Sequence, residues 1–162
     1  MRIRLARPED GPSIRTIYNA EVTGSQLNFD IIQWTVEDEQ AWLARHRGAH
    51  PAVVAVDDEE RVLGFGSLSR YRNRPAYATT VEDSVYVDRL RRSGGVGKSI
   101  LGELVRLAGE HGFHTVVARV VGHNEASIAL HRSCGFEVVG VEKEVGRKHG
   151  QWLDVVELQR ML

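Results

Sequence analysis

The 162-residue sequence contains one cysteine, four prolines and no long hydrophobic run. The single cysteine, Cys134, excludes a disulfide within the chain and is typical of a reducing cytoplasm. A formal net charge of −1 argues against a general nucleic-acid binder, which needs a basic excess. No stretch has the length of a membrane span, and residues 1–8 lack the apolar core of a signal peptide. These absences predict a soluble, cytoplasmic domain over 1–162 without a nucleic-acid or membrane partner.

Hydrophobic spacing predicts short strands and amphipathic helices in the order β-α-α-β-β-β-α-β-α-β-β. The helix between the fourth and fifth strands makes these two strands parallel. The second helix is expected to begin at Thr35 and to bury Ala41, Trp42 and Leu43. We expect strands at 3–6, 52–56, 62–69, 81–87, 115–121, 138–145 and 152–158, and helices at 10–24, from 35, after the glycines at 94–97, and at 124–133. This order predicts an α/β fold with a mixed sheet.

The most informative stretch is the strand 81–87 with the glycine-rich turn that follows it. Without a Cβ, Gly94, Gly95 and Gly97 allow backbone N–H groups to approach a ligand closely. The start of the next helix adds unpaired N–H donors and a partial positive charge, and Lys98 adds a full one. This combination indicates a pyrophosphate-binding turn.

Two common phosphate-binding loops do not fit this turn. A Walker loop needs a glycine where Arg92 stands, and a Rossmann turn needs its third glycine at Ile100. A glycine-capped turn without ligand remains the alternative. The spacing from Arg92 to Gly97 does match R-x-x-G-x-G, the cofactor signature of the GNAT acyl-CoA N-acetyltransferases, which the chain resembles here.

A second stretch, 124–136, resembles the other GNAT cofactor motif, N-x-x-S-x-x-L-Y-x-x-x-G-F. The one departure is His131, which stands where the family usually has tyrosine. Asn124, Ser127 and His131 lie on one helical stripe and therefore present polar groups to a common site. In the structural alternative, Asn124 is only a helix cap and His131 a half-buried imidazole.

Over nearly its whole length the chain resembles the phosphinothricin and methionine-sulfoximine N-acetyltransferases, a subgroup of that family. The matching positions are Tyr77, 80–82, 84–87, His131 and 148–154. The resemblance implies a mixed six- to seven-stranded sheet flanked by four helices, with acetyl-CoA as co-substrate. It also implies a homodimer and a small amino-acid-like substrate that carries a tetrahedral phosphinate or sulfone-like group. Nothing in the sequence indicates a metal site.

The resemblance implies that Glu82 is the catalytic carboxylate and His131 its neighbouring histidine, on opposite sides of one cleft. An α-ammonium group must lose a proton before it attacks a thioester, and a carboxylate can accept that proton. Because strand residues alternate, Glu82 and Ser84 share a face, whereas Asp83 shares the other face with the valines. Glu82 faces the cleft if the valines face the core, and Asp83 is the alternative base. His131 then protonates the CoA sulfur or orients the substrate.

The remaining site residues divide into cofactor and substrate groups. The resemblance implies that the backbone N–H groups of Val85, Tyr86 and Val87 polarise the acetyl carbonyl. The other expected cofactor-binding residues are Arg92, Ser93, Gly94, Gly95, Val96, Gly97, Lys98, Asn124 and Ser127.

Arg72 and Arg74 are candidates for binding a substrate carboxylate or phosphinate, because a guanidinium forms paired hydrogen bonds with such anions. A solvated basic loop is the alternative. Phe29 is expected to form an apolar wall of the cleft, and Tyr77 to contact substrate. The segment 148–154 also matches the subgroup, but its residues indicate no chemical role. It is expected to form either a dimer contact or the floor of the cleft.

Two other functions remain open from the sequence. One is acetylation of a protein N-terminus, a lysine or another amine, which requires an open groove rather than a cleft narrowed by Arg72, Arg74 and Phe29. The other is a non-enzymatic acetyl-CoA sensor, which has no need for the proton-transfer groups Glu82 and His131.

Overall fold

The computed structural model describes all 162 residues and contains one seven-stranded sheet with four α-helices. The elements follow the predicted order, and no helix has the length and apolar character needed to cross a bilayer. Three short 3₁₀ helices lie at Pro8–Asp10, Pro75–Tyr77 and Arg89–Arg91. The main elements are β1 (Arg2–Leu5), α1 (Gly11–Gly24), α2 (Val36–Arg45), β2 (Ala52–Val56), β3 (Val62–Arg70), β4 (Thr80–Val87), α3 (Val96–Glu110), β5 (Thr115–Val121), α4 (Glu125–Ser133), β6 (Glu137–Lys148) and β7 (Gln151–Met161).

The strands are arranged in the order β1-β2-β3-β4-β5-β7-β6. All neighbours are antiparallel except β4 and β5, which are parallel as predicted because α3 connects them. The predicted fold, a mixed sheet flanked by four helices, is therefore confirmed.

Each face of the sheet carries its own hydrophobic core. Helix α3 buries Ile100 and Leu104 against one face, and α1 buries Ile14 and Tyr18 on the other. Close packing of α3 on β3 requires Gly66, since a Cβ there would lie 2.6 Å from Cγ2 of Ile100.

The predicted buried side of α2 is partly wrong. Trp42 is buried, but Ala41 is exposed and Glu39 is buried instead. The Glu39 carboxylate lies against α1, where it forms an ion pair of 3.0 Å with Arg15. Trp42 and Leu43 contact the apolar core as expected, and the ion pair of Glu39 takes the place expected for Ala41.

A buried lysine fastens the loop after α1 to the end of β6. Lys148 is 3% exposed, and its Nζ donates to the backbone oxygen of Asn28 at 2.9 Å. Burial lowers the pKa of Lys148, while the charges of Asp30 and Glu21 act in the opposite direction. The side chain of Lys148 therefore makes its contacts within the chain. It does not form the dimer contact that was one of the two alternatives for this segment.

The same loop places two apolar side chains. The ring of Phe29 packs on the backbone of Gly146, where a Cβ would lie 2.6 Å from the ring. Leu27 extends into the gap between β4 and β5 that is described below. The contacts of Lys148 and Gly146 thus set the position of this loop relative to the site.

We expect Lys148→Met to lower the free energy of unfolding by about 1–3 kcal/mol, because buried acceptors on Asn28 lose their donor. Lys143→Met is the matched control, since Lys143 lies on the same strand, is largely exposed and pairs with Asp154 at 3.2 Å. Its loss should cost about 0–1 kcal/mol. Denaturant unfolding of the two variants checks this, and equal stability of both would contradict the role given to Lys148.

Candidate active site

The site is built on the separation of two neighbouring strands. The pairing of β4 with β5 runs from Thr80 opposite Thr115 to Glu82 opposite Val117 and ends there. On its other side, β4 remains paired with β3 as far as Val87 opposite Gly64. The second half of β4 therefore borders a gap in the sheet.

Unpaired backbone groups of β4 point into this gap. The N–H of Asp88 donates to the β3 residue Leu63 at 2.9 Å, and along β4 such bonds alternate between the two sides. The N–H groups of Val85 and Val87 consequently face the gap, whereas that of Tyr86 faces β3. The expectation that Tyr86 also polarises the acetyl carbonyl through its N–H is therefore wrong.

A cavity of ≈ 80 Å³ fills this gap and crosses the sheet. Ser84, Tyr86 and Arg119 line it on the α1 side, together with Leu27. On the α4 side the lining residues are Asp83, Val85, Ala118, Val120, Asn124, Ser127 and His131. Two reactants that enter from opposite faces of the sheet can therefore meet in this cavity.

The glycine turn forms an anion-binding surface beside the gap. Ser93 and Gly95 have positive φ values of 67° and 78°, and Gly95 is the N-cap residue of α3. The N–H groups of Val96, Gly97 and Lys98 have no partner within the helix. A Cβ on Gly97 would lie 3.1 Å from Leu130 and 3.5 Å from Val87, so the backbone is closely approached there. This geometry fits a pyrophosphate group.

Arg92 has a different partner from the one expected. Its Nη2 donates to Oε1 of Glu21 at 2.6 Å, and Nε of Arg89 donates to the same oxygen at 2.8 Å. Burial raises the pKa of Glu21, but hydrogen bonds from Arg89 and Ser25 outweigh it, so that the net pKa is lowered. Arg92 therefore anchors the turn to α1 through Nη2, while its side chain remains 45% exposed beside the turn.

The second motif forms α4 and its cap. The Oδ1 atom of Asn124 accepts from the N–H of Ser127 at 3.2 Å, so Asn124 is a helix cap that also lines the cavity. His131 is 3% exposed rather than half-buried. Its Nδ1 lies 2.7 Å from the backbone oxygen of Ser127, and Oγ of Ser127 lies 3.4 Å from the same nitrogen.

The side chain that contacts Nε2 of His131 is Asp83. Nε2 of His131 lies 3.0 Å from Oδ2 of Asp83, and both side chains are buried. Burial lowers the pKa of His131, but the hydrogen bond and charge of Asp83 outweigh it and the net pKa is raised. Glu82 and His131 thus lie toward opposite faces of the sheet, and the direct partner of His131 is Asp83.

Glu82 lies on the opposite face of β4 from Asp83, as the alternation predicts. It is half-buried and its carboxylate makes no hydrogen bond in the chain. Burial raises the pKa of Glu82, while the positive charges of Arg119 and Arg72 oppose this shift. A carboxylate with a raised pKa is better matched to accepting a proton near neutral pH.

One surface basin next to β4 is lined by Arg72, Arg74 and Tyr77. A common role in substrate binding requires that these residues lie together. The guanidinium of Arg72 lies 4.8 Å from the centre of the Tyr71 ring, and Tyr71 contacts Tyr77 edge to face at 5.4 Å. This packing orients Arg72, whose charge reaches Glu82.

Six residues that line the cavity were not predicted as site residues, namely Leu27, Asp83, Ser84, Ala118, Arg119 and Val120. In the sequence, Leu27 is only an apolar residue in a predicted loop, and Asp83 is predicted only as the alternative base. Arg119 gave no signal, because a single arginine in a β-branched strand does not reveal its partners. It forms ion pairs with Glu142 and, at 3.4 Å, with Glu157 on the face that carries Glu82.

Comparisons with known proteins agree with this geometry. Residues 3–156 match the model of the acetyltransferase (GNAT) domain. The chain is 39% identical over 158 residues to an L-methionine sulfoximine/L-methionine sulfone acetyltransferase of Pseudomonas paraeruginosa, which covers 97% of this chain and 92% of that protein.

Two solved structures superpose closely. A GNAT superfamily phosphinothricin acetyltransferase from Sinorhizobium meliloti in complex with AcCoA gives a TM-score of 0.96 at 37% identity, over 99% of this chain and 88% of that chain. A ribosomal-protein-alanine N-acetyltransferase from Brucella melitensis gives a TM-score of 0.96 at 37% identity, over 100% of both chains. With a sheet that opens between β4 and β5 and a glycine turn shaped for a pyrophosphate, the chain belongs to the GNAT family of acetyl-CoA-dependent N-acetyltransferases.

Proposed function

We propose that this chain, as one catalytic domain over 1–162, acetylates the α-amine of a small amino-acid analogue of the phosphinothricin, methionine sulfoximine or methionine sulfone type. The observation that carries the proposal is the small cavity that crosses the sheet. Arg119 lines it on the α1 side, and the charges of Arg119 and Arg72 act on Glu82 on the same face. The named activities of the relatives from Pseudomonas and Sinorhizobium support the same substrate class.

The cofactor side of the site fits acetyl-CoA, which supplies an activated acetyl group as a thioester. The N–H groups of Val96, Gly97 and Lys98 are proposed to bind its pyrophosphate, with Ser93, Gly94 and Gly95 shaping the turn. The N–H groups of Val85 and Val87 are unpaired donors that can polarise the acetyl carbonyl. Asn124 and Ser127 complete the wall on the α4 side.

On the substrate side, Glu82 is the proposed proton acceptor. Arg72 and Arg74 are proposed to bind the anionic groups of the substrate, and Tyr77 packs beside them through Tyr71. Phe29 is proposed to form an apolar wall of the cleft. Its ring is exposed and packs on Gly146, and Leu27 of the same loop lines the cavity itself.

Acetylation of a protein N-terminus is the second candidate, because the similar chain from Brucella is named as a ribosomal-protein-alanine N-acetyltransferase. Such a substrate needs an open peptide groove. Leu27 lines the α1 side of the cavity, and Arg72 and Arg74 line the basin that follows β3, which favours a small anionic molecule.

The proposed assembly is a cytoplasmic homodimer. Strand β6 is the edge of the sheet, and Val139, Val141 and Val145 on it are exposed, as are Ile32 in a loop and Trp152 on β7. Exposed apolar edge strands of this kind favour pairing with another chain. The single cysteine supports a reducing compartment.

The substrate class is tested with a panel of amines and acetyl-CoA in an assay for released thiol. Methionine sulfoximine, methionine sulfone or phosphinothricin should be acetylated, and lysine peptides or peptides with a free N-terminal alanine should not. Efficient turnover of the peptides with none of the three analogues would overturn the proposal in favour of the second candidate.

The glycine turn is tested with Gly97→Val, whose side chain would contact Leu130 and displace the backbone from the pyrophosphate. We expect a weaker affinity for acetyl-CoA in a folded protein, measured by calorimetry. Gly102→Val is the control in the same helix, because a Cβ there meets no atom within 4 Å. Unchanged affinity for acetyl-CoA in folded Gly97→Val would contradict pyrophosphate binding at this turn.

The proposed base is tested with Glu82→Gln, which keeps the shape and removes the proton acceptor. We expect kcat to fall by roughly 10²- to 10⁴-fold while acetyl-CoA affinity stays nearly intact. Raising the pH should partly restore the rate, since more of the amine is then neutral. Wild-type kcat across pH 6 to 9 would show that Glu82 is not the base.

A further inference from the structure

A row of charged side chains crosses the sheet on the face that carries Glu82. Glu82 on β4 is paired with Val117 on β5, and Arg119 is two residues further along β5, so both charged side chains lie on one face. Arg119 is in turn paired with Glu157 on β7. If the ladder between β4 and β5 continued, Arg119 would stand opposite Ser84, and both of these residues line the cavity. The strand on the far side of the gap therefore presents a cation on the face of the proposed base.

Two glutamates hold the guanidinium of Arg119 from the side opposite to Glu82. Nη2 of Arg119 donates to Oε1 of Glu142 on the edge strand β6, and Nε lies 3.4 Å from Oε1 of Glu157. Both glutamates lie beyond β5, whereas Glu82 lies on its other side. These are the ion pairs of Arg119, and Glu82 is not among them.

Whether a guanidinium bonds to Glu82 or only lies near it decides what this carboxylate can do. A direct ion pair would occupy the oxygen lone pairs that must receive the amine proton, and it would strongly favour the ionised form. Burial without a nearby cation acts the other way and favours the protonated form, which cannot accept a proton. A positive charge that is held close to Glu82 without bonding to it offsets burial and leaves the oxygens free.

We propose that Arg119 is a positioning residue for the reaction: held by Glu142 and Glu157, it keeps Glu82 ionised but unpaired, so that this carboxylate can take the amine proton. The proposal deepens and rests on the proposed amine acetylation with Glu82 as the base. Arg119 touches neither the amine nor the thioester in this role, because it acts through Glu82.

The charges around Glu82 agree with this role. Burial raises the pKa of Glu82, and Arg119 is the larger of the two positive charges that oppose the shift. Apart from Arg119, the charged groups that act on this carboxylate are Asp83, Arg72 and Glu157. The two acids act with burial, and Arg72 acts against it. Tyr86 lies on the same face of β4, and burial raises its pKa to about 12, so it stays neutral. Without Arg119, burial and two carboxylates would be opposed by one arginine.

The first test follows the titration of Glu82 by carbon nuclear magnetic resonance on the ligand-free protein with labelled glutamate carboxyl groups. Glu82→Gln identifies the resonance. In Arg119→Gln the midpoint should move to higher pH, because a charge that favours the carboxylate is lost. Arg119→Lys keeps the charge and should restore most of the shift. Arg61→Gln is the matched control and should change nothing, since Arg61 also binds two carboxylates, Asp57 and Glu59, but lies in the turn between β2 and β3.

Glu157→Gln should move the midpoint in the opposite direction. It removes a carboxylate that acts on Glu82 and loosens the hold on Arg119, so the midpoint should fall to lower pH. This variant keeps Arg119 and tests the same arrangement if Arg119→Gln does not fold. A midpoint that stays at the wild-type value in each variant that folds would overturn the proposal.

The second test follows kcat from pH 6 to 9 with both substrates saturating. Arg119→Gln should be slower than the wild type by roughly 3- to 30-fold at pH 6.5, and the gap should close toward pH 9, where the carboxylate is ionised in both proteins. Arg119→Lys should recover most of the rate at pH 6.5. A residue that only stabilises the fold would lower kcat by the same factor at every pH, and that result would overturn the proposal.

Failures of the proposal and of the proposed function appear in different measurements. The resonance titration needs no substrate, and the rates are measured on whichever amine the wild type acetylates. An error in the substrate class therefore appears in the amine panel, and an error in the base appears as a normal rate in Glu82→Gln. An error in the role of Arg119 appears as a wild-type pH profile in Arg119→Gln while Glu82→Gln is impaired.

Discussion

Strands β4 and β5 are paired at only three positions, and the site depends on this early end of the ladder. Backbone groups in a sheet are normally satisfied by the neighbouring strand. Here β3 continues along β4, so the strand keeps its shape while its other edge is left with free N–H groups at Val85 and Val87. The same separation opens the cavity and allows side chains from both faces to line it. A fully paired sheet would have neither the donors nor the passage.

The sheet places two adjacent residues on opposite faces. Glu82 and Asp83 differ by one position, yet one meets the arginine-bearing face and the other meets α4. Their surroundings differ accordingly. Glu82 is half-buried among opposing charges from Arg119 and Arg72, whereas Asp83 is buried against an imidazole whose other nitrogen is already occupied. Two adjacent carboxylates therefore have different partners, because the sheet separates their environments.

Buried ion pairs and hydrogen bonds fix the elements around the gap. Glu21 on α1 binds both Arg89 and Arg92, which ties the glycine turn to the opposite side of the sheet. Lys148 at the end of β6 binds the loop that follows α1. Removing one partner of such a buried contact costs more than the contact contributes, because a polar group is left without a partner. Both contacts serve to hold the walls of the site in place.

The sequence by itself determined the order of elements, the parallel pair, the glycine turn and the opposite faces of Glu82 and Asp83. These follow from periodicity, backbone geometry and local spacing, which act over a few residues. The resemblance added the family, acetyl-CoA and the candidate histidine. Only the tertiary structure decided that His131 pairs with Asp83, that Arg92 is held by Glu21, that Tyr86 directs its N–H to β3, and that Lys148 is buried. Each of these contacts joins residues that are far apart in the chain. The partner of a polar group depends on distance and burial in the folded protein, and its position in the sequence does not show either.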